Sequence, residues 1–318
     1  MTIAWILGRG GLFGSALHRA LALEGTRLFV PDEKLCWHED QRLEAQLACA
    51  VRAFSAQARG AGHWEIYWAA GIGTMSSPPE ALAPETRALS LLLRCIESDG
   101  ILASMDGSLA LASSAGAIYA GSVDDIITED SPPSPTTAYA TEKLRQEDLV
   151  RAFTERNDKV SALLARLSTL YGSGQAATKP QGLLTHIARS MLRNKPVQIF
   201  VPYDTIRDYL AVDDAAPAMI SALRASSGEQ SRVLAKIIAS ETPTTIAEIL
   251  AIFKRLTRNP PRIIRSNNRL SAAYAHRIQF RSIITPDLAS TARRRLPVGI
   301  AQLLLAERVA FGRGAGRD

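Results

Sequence analysis

The chain has 318 residues, 47% of them hydrophobic and 21% charged, enough for one large domain with an appended lobe, or for two domains, around a sizeable core. The formal net charge of +6 comes from basic residues spread along the chain, with Arg293-Arg294-Arg295 the one compact run; this disfavours a nucleic-acid binder and suits a mildly positive cleft for an anionic small molecule. Three cysteines without a CxxC pair and five scattered histidines give neither a disulfide framework nor a zinc site, and no apolar run could span a bilayer or serve as a signal peptide, so the expectation is a reduced, metal-free cytoplasmic protein.

Thr2 to Leu7 predicts a short buried strand, followed by Gly8-Arg9-Gly-Gly11-Leu12-Phe13-Gly14 and an apolar helix from Ser15 to Leu23. Glycines at 8, 11 and 14 allow a tight turn and close approach of backbone to a pyrophosphate, while a helix N-terminus presents amides to an anion. The same glycines would also serve a turn that merely packs a helix on a sheet. A second strand, Thr26 to Val30, ends at Pro31-Asp32. The Asp32 carboxylate is placed for ribose hydroxyls, which favours NAD; Arg9 and Lys34 could pair with a 2′-phosphate, which favours NADP.

Glu39 to Phe54 has helical periodicity. Trp64 to Gly71 reads as a strand closing on Ala69, Ala70 and Gly71, small residues against which a flat ring or ribose can lie. A helix from about Glu85 to Glu97 carries leucines at 89, 91, 92 and 93, a broad apolar face that is core first and oligomer interface second.

Gly107 to Ser114 is a further buried strand, which puts Ser113 and Ser114 at its C-terminal end, where open α/β sheets place their sites. Ser134 to Thr137 then caps a helix bearing Tyr139 and Lys143. Residues four apart lie on one helix face, so the Lys143 ammonium can sit beside the Tyr139 phenol and favour its ionised form. Tyr139 thereby becomes a proton shuttle, and a serine hydroxyl could hold the substrate oxygen whose carbon gains or loses hydride. A tyrosine and a lysine four apart also occur on plain solvated helices.

Val160 to Leu167 is another strand, and Ser168-Thr169 and Tyr171-Gly172 follow. From Ser173 the pattern changes to a Gly/Gln/Ala loop, a helix over Gly182 to Arg193, a strand over Pro196 to Val201, and Arg207-Asp208-Tyr209 leading to Val212-Asp213-Asp214. Ala215 to Leu223 predicts a helix and Arg232 to Ala239 a strand that returns to the first domain; Thr242 to Thr245 caps a helix through Leu256. The remainder reads as a small mixed lobe with a frayed tail from Arg313.

With these pieces in this order, the chain resembles the extended short-chain dehydrogenase/reductases, and within them the nucleotide-sugar epimerase/dehydratase group. The residues that carry the resemblance are Gly8, Gly11 and Gly14; Asp32; Ala69-Ala70-Gly71; Ser113-Ser114 with Ile118-Tyr119; Tyr139 and Lys143; Arg166 with Tyr171-Gly172; and Arg207-Asp208-Tyr209 with Val212-Asp213-Asp214. The resemblance implies an α/β fold, a Rossmann-like doubly wound parallel sheet with a smaller mixed C-terminal substrate lobe. Residues 1–172 with about 206–240 would form the NAD(P)-binding domain, and about 173–205 with 241–318 the substrate lobe.

It further implies Tyr139 and Lys143 as the catalytic pair, with Lys143 also holding the nicotinamide ribose, and the Gly8 to Gly14 turn, with Arg9, Leu12 and Phe13, at the cofactor. Arg207 would be the fork for a substrate diphosphate. Thr169 and Gln181, with Lys179 and His186, are the remaining substrate-side candidates.

Several positions depart from the family pattern. The catalytic Ser or Thr usually stands four residues before the tyrosine matching Tyr119, where this chain has Ala115; Ser114 is assigned the role, with Ser113 second. The turn Ala115-Gly116-Ala117 lacks the acidic pair of the 4,6-dehydratases, which disfavours dehydration. The asparagines expected near Glu85 and at Thr169 are absent, and the segment between Asp32 and Trp64 is shorter than usual. The expected activity is a nucleotide-diphosphate-sugar epimerase using NAD, with NADP the other choice, through a transient keto sugar. The alternatives are an NADPH-dependent keto-sugar reductase and a non-catalytic dinucleotide-binding protein. A homodimer through the Glu85 to Glu97 and Tyr139 helices is expected by resemblance.

Overall fold

The computed structural model describes residues 1–174, 182–226, 232–257, 260–265, 277–284 and 293–314. The chain begins with β1 (Thr2–Leu7), α1 (Leu12–Leu23), β2 (Arg27–Phe29), α2 (Asp40–Ala58), β3 (His63–Trp68), α3 (Pro79–Glu97) and β4 (Gly107–Ser114). A single turn, α4 (Ala115–Ile118), precedes α5 (Ala138–Arg156), β5 (Val160–Leu167) and β6 (Thr169–Tyr171). Then come α6 (Leu183–Leu192), β7 (Val197–Ile199), β8 (Ile206–Ala211), α7 (Val212–Ser226), β9 (Val233–Ile238), β10 (Pro243–Thr245), α8 (Ile246–Thr257), β11 (Ile263–Arg265) and α9 (Leu296–Gly314).

Six strands form one parallel sheet in the order β2-β1-β3-β4-β5-β9. Central strands covered on both faces need continuous apolar runs, and β1 and β3 are buried at every position after the first. Leu43, Leu47 and Phe54 of α2, Leu89 and Leu92 of α3 and Phe153 of α5 cover one face together with Trp5, Trp64 and Trp68. Phe13, Leu17 and Leu21 of α1 and Met219 and Leu223 of α7 cover the other. The protein is thus a Rossmann-like doubly wound α/β fold.

A smaller mixed region packs beside the C-terminal half of the sheet. There β8 lies between β6, parallel, and β10, antiparallel, and β7 pairs with β11. Leu184 and Ile187 of α6, Ile249 and Phe253 of α8, and Ile300 and Leu303 of α9 build its core.

Two elements there differ from the sequence expectation. Pro243–Thr245, expected only as a cap, is first a strand on β8; Thr245 and Glu248 then close a reciprocal box, Thr245 N–H to Glu248 Oε2 at 2.7 Å and Glu248 N–H to Thr245 Oγ1 at 3.1 Å. The nineteen-residue α9 stands where no helix was expected, because Pro297, Gly299 and Gly312 break the helical signal. The Glu85 to Glu97 helix begins earlier, at Pro79, with proline in the first turn. No described helix is long and apolar enough to cross a membrane, and no described cluster of His, Cys, Asp and Glu could hold a metal.

Candidate active site

The winding of the sheet reverses between β1 and β3, so a crevice opens beyond their carboxyl ends. Gly8 and Ala69 meet there. Gly8 adopts φ +87°, and a Cβ on it would lie 2.5 Å from the Ala69 carbonyl; a Cβ on Gly14 would lie 2.1 Å from the Gly8 oxygen. Only glycine at both positions lets the turn fold tightly over the start of α1. The N-cap of α1 is Gly11, which offers no side-chain acceptor, and its first turn carries no acidic residue. The amides of Leu12, Phe13 and Gly14 therefore begin a helix suited to an anion. Arg9 and Asp32 are exposed near this turn and the end of β2, while Ala69 and Ala70 are half-buried and Gly71, at φ +153°, is exposed. Glycine cradles that a Cβ would fill, facing an uncapped helix start, fit the diphosphate of a dinucleotide.

Tyr139 and Lys143 stand one turn apart near the start of α5, whose N-cap Thr137 accepts from the Ala140 N–H at 3.2 Å. The Ser114 side chain, at the carboxyl end of β4, faces the Tyr139 phenol closely enough to act on its ionisation. Lys143 Nζ lies 5.7 Å from the centre of the Tyr139 ring and donates to Gln146 Oε1 at 3.0 Å and to the Ala112 carbonyl at 3.4 Å. The structure thus brings Ser114, Tyr139 and Lys143 together. Ser113 goes elsewhere: its hydroxyl is buried and donates to Glu147 Oε1 at 2.7 Å. That carboxylate also takes Arg166 through Nε at 3.0 Å and Nη2 at 2.7 Å, and Arg166 in turn donates to the Tyr119 oxygen.

The electrostatics correct one expectation. Instead of being lowered by Lys143, the Tyr139 phenol is pushed up to about 12, first by burial and then by the Glu85 carboxylate, with the Ser114 side chain acting the other way. Burial also lowers the Lys143 ammonium, against the pull of Glu85 and Glu147. Spacing along the helix reveals the lysine but not the carboxylate. Glu85 Oε1 accepts the backbone N–H groups of Ile72 and Gly73, both at 2.5 Å, in the loop that leaves β3. Behind these groups Thr86 donates to Glu142 Oε2 at 2.6 Å and accepts from Gln146 Nε2 at 3.2 Å, tying α3 to α5.

On the substrate side Arg207 and Thr169 are half-buried in β8 and β6. Arg207 Nη1 donates to its neighbouring Ile206 carbonyl at 2.7 Å. The adjacent Asp208 is buried and accepts from Ser240 N–H and Oγ, both at 2.8 Å, which anchors β8 to the chain after β9. His186 is exposed on α6, and Lys179 and Gln181 lie outside the described residues.

Residues 4–235 match the NAD dependent epimerase/dehydratase family. The chain belongs to that family. Within it, the chain is 30% identical over 92 residues to a dTDP-L-rhamnose 4-epimerase of Burkholderia thailandensis, a stretch covering 29% of this chain and 25% of the relative. It is 30% identical over 113 residues to a dTDP-4-dehydro-6-deoxyglucose reductase of Escherichia coli, 35% of each. The matches therefore span about a quarter to a third of these relatives' lengths. Among solved structures, MoeE5 in complex with UDP-glucose and NAD superposes with a TM-score of 0.79 at 22% identity, covering 98% of this chain and all of the other. At that identity the likeness speaks for the fold of this epimerase/dehydratase family member. The mixed C-terminal region lies mostly beyond the family match.

Proposed function

We propose that the protein is a nucleotide-sugar epimerase that works through a transient keto sugar. The observation that carries this reading is Lys143 Nζ 5.7 Å from the centre of the Tyr139 ring, one turn away on α5, with Ser114 facing the phenol from the carboxyl edge of the sheet. Relatives and neighbours named for dTDP- and UDP-sugars support the substrate class. Gly8, Gly11, Leu12, Phe13 and Gly14 would hold the diphosphate of NAD, Asp32 the adenosine ribose, Ala69 to Gly71 the ribose edge and Lys143 the nicotinamide ribose. When bound, NAD supplies an acceptor that takes a hydride from a sugar carbon and gives it back.

The residues of the chain handle the proton and the oxygen. Once Tyr139 has given up its own phenol proton, the sugar O–H bond breaks with its proton passing to the phenolate Oη, the C–H bond breaks with its electron pair leaving as hydride, and the carbonyl forms. Ser114 donates to that oxygen throughout. After the keto sugar turns, the reverse steps on its other face return proton and hydride. Arg207 grips the diphosphate, so that only the sugar moves. Thr169 and Gln181 are the further substrate contacts in this reading, and the enzyme is a cytoplasmic homodimer.

A second reading, an NADPH-dependent keto-sugar reductase, is favoured by one observation. A phenol raised to about 12 holds its proton and is ready to donate it to a carbonyl, as reduction requires. Arg9, exposed beside the turn, would suit the 2′-phosphate. The purified protein should be denatured and its released nicotinamide identified, and the native protein offered a panel of UDP- and dTDP-linked hexoses. Near-stoichiometric NAD with epimerised product is the expected result. An empty protein that binds NADPH in preference and reduces keto sugars would move the assignment to the reductase, and cofactor without turnover would leave a binding protein.

A further inference from the structure

The Glu85 carboxylate is used neither by the proton path nor by the substrate grip described above, yet it sits between two parts of the site. One of its oxygens closes the Ile72–Gly73 turn through two backbone N–H groups at 2.5 Å. The same turn lies against the catalytic ring: a Cβ on Gly73 would be 3.2 Å from Glu85 Oε1 and 3.3 Å from Tyr139 Cδ2, and one on Gly71 would be 3.0 Å from Glu85 Oε2. Two glycines thus let carboxylate, turn and phenol ring share one small volume. We propose that Glu85 is a positioning residue of this site, whose carboxylate fixes the loop after β3 against the Tyr139 ring and supplies the counter-charge to the Tyr139–Lys143 pair.

Of the other described carboxylates near the pair, Glu147 also bears on Lys143, but each is held by groups of its own. From α5, Glu142 accepts Thr86 and pairs with Arg145 at 3.5 Å, and Glu147 is held by Arg166 and Arg151. From β4 comes the neutral Ser114 hydroxyl. Glu85 of α3 bears on both partners, and it favours the protonated form of each. The carboxylate thus opposes ionisation of the phenol in the resting site. Removing the negative charge while keeping the acceptor should let Tyr139 ionise at lower pH, by about one unit for a charge in this range.

The inference rests on Tyr139 as the proton carrier, and its test reads that residue without turnover. Tyrosinate absorbance is titrated in wild type, Glu85→Gln and Glu85→Ala, each corrected by the same background carrying Tyr139→Phe, with circular dichroism confirming the fold at every pH. Exchange of the Ile72 and Gly73 amides is followed in parallel. In both variants Tyr139 is expected to titrate about one unit lower. Amide exchange should stay near wild type in Glu85→Gln and quicken about tenfold in Glu85→Ala.

An unshifted phenol in both variants overturns the counter-charge, and unchanged exchange in Glu85→Ala overturns the clamp. Should Glu85→Gln not fold, Glu85→Asp keeps the charge on a shorter arm, so exchange should quicken while the titration holds; a shifted titration there contradicts the proposal. A protein inactive on every nucleotide sugar that still shows the shift keeps the Glu85 assignment and discards the epimerase reading. Turnover without the shift does the reverse.

Discussion

Helix α5 carries two polar clusters in successive turns, and they are built to opposite ends. In the inner one the Glu147 carboxylate is fully buried, is gripped through two nitrogens by Arg166, and also takes the Ser113 hydroxyl and Arg151. Its oxygens are taken up by three side chains. In the outer cluster Tyr139 is half-buried with Ser114 facing its phenol, and Lys143 donates to Gln146 at 3.0 Å and reaches a carbonyl only at 3.4 Å. A closed network resists rearrangement and holds α5 to β4 and β5; an open one keeps hydrogen-bonding capacity for a substrate. The adjacent serines divide accordingly, Ser113 to the scaffold and Ser114 to the chemistry.

That contrast can be broken by substitution. Tyr139→Phe should lower kcat about 10³-fold, the middle of the range for a lost proton carrier, while leaving the unfolding midpoint close to wild type. Glu147→Ala should do the opposite: it strands the buried Arg166 and should cost about 3–5 kcal/mol of stability in denaturant titration. Ser114→Ala, which removes the donor to the reacting oxygen, is expected to reduce kcat about 10²-fold with little change in stability. Ser113→Ala should be the mildest, about 1 kcal/mol less stable and catalytically near normal. If Ser113→Ala proved the more damaging to turnover, the division between the two clusters would be wrong.

The parts of this arrangement legible in the sequence are those encoded locally. A strand, a glycine turn and a helix follow one another within Thr2 to Leu23, and a Tyr and a Lys four apart share a helix face whatever surrounds them. Long-range partners left no such trace. Glu85 looks like one more outward charge on a helix start, and only the folded loop brings the Ile72 and Gly73 amides to it. Glu147 and Arg166 lie 19 residues apart on a helix and a strand, and become a pair only when β5 packs under α5. The expected lowering of the Tyr139 phenol failed for the same reason, since spacing reports the ammonium but not burial or the facing carboxylate. In the mixed region, β10 is three residues long and exists only in register with Ile206 to Asp208.

The central claim is that hydrogen leaves and rejoins the sugar carbon as hydride while Tyr139 handles the hydroxyl proton. It is tested most directly by running the wild-type protein in deuterium oxide with the nucleotide sugar it epimerises and examining the product by NMR. The account predicts that the inverted carbon keeps its original hydrogen and takes up no deuterium. Deuterium at that carbon would mean that the proton was drawn from carbon and replaced from solvent, and would contradict it.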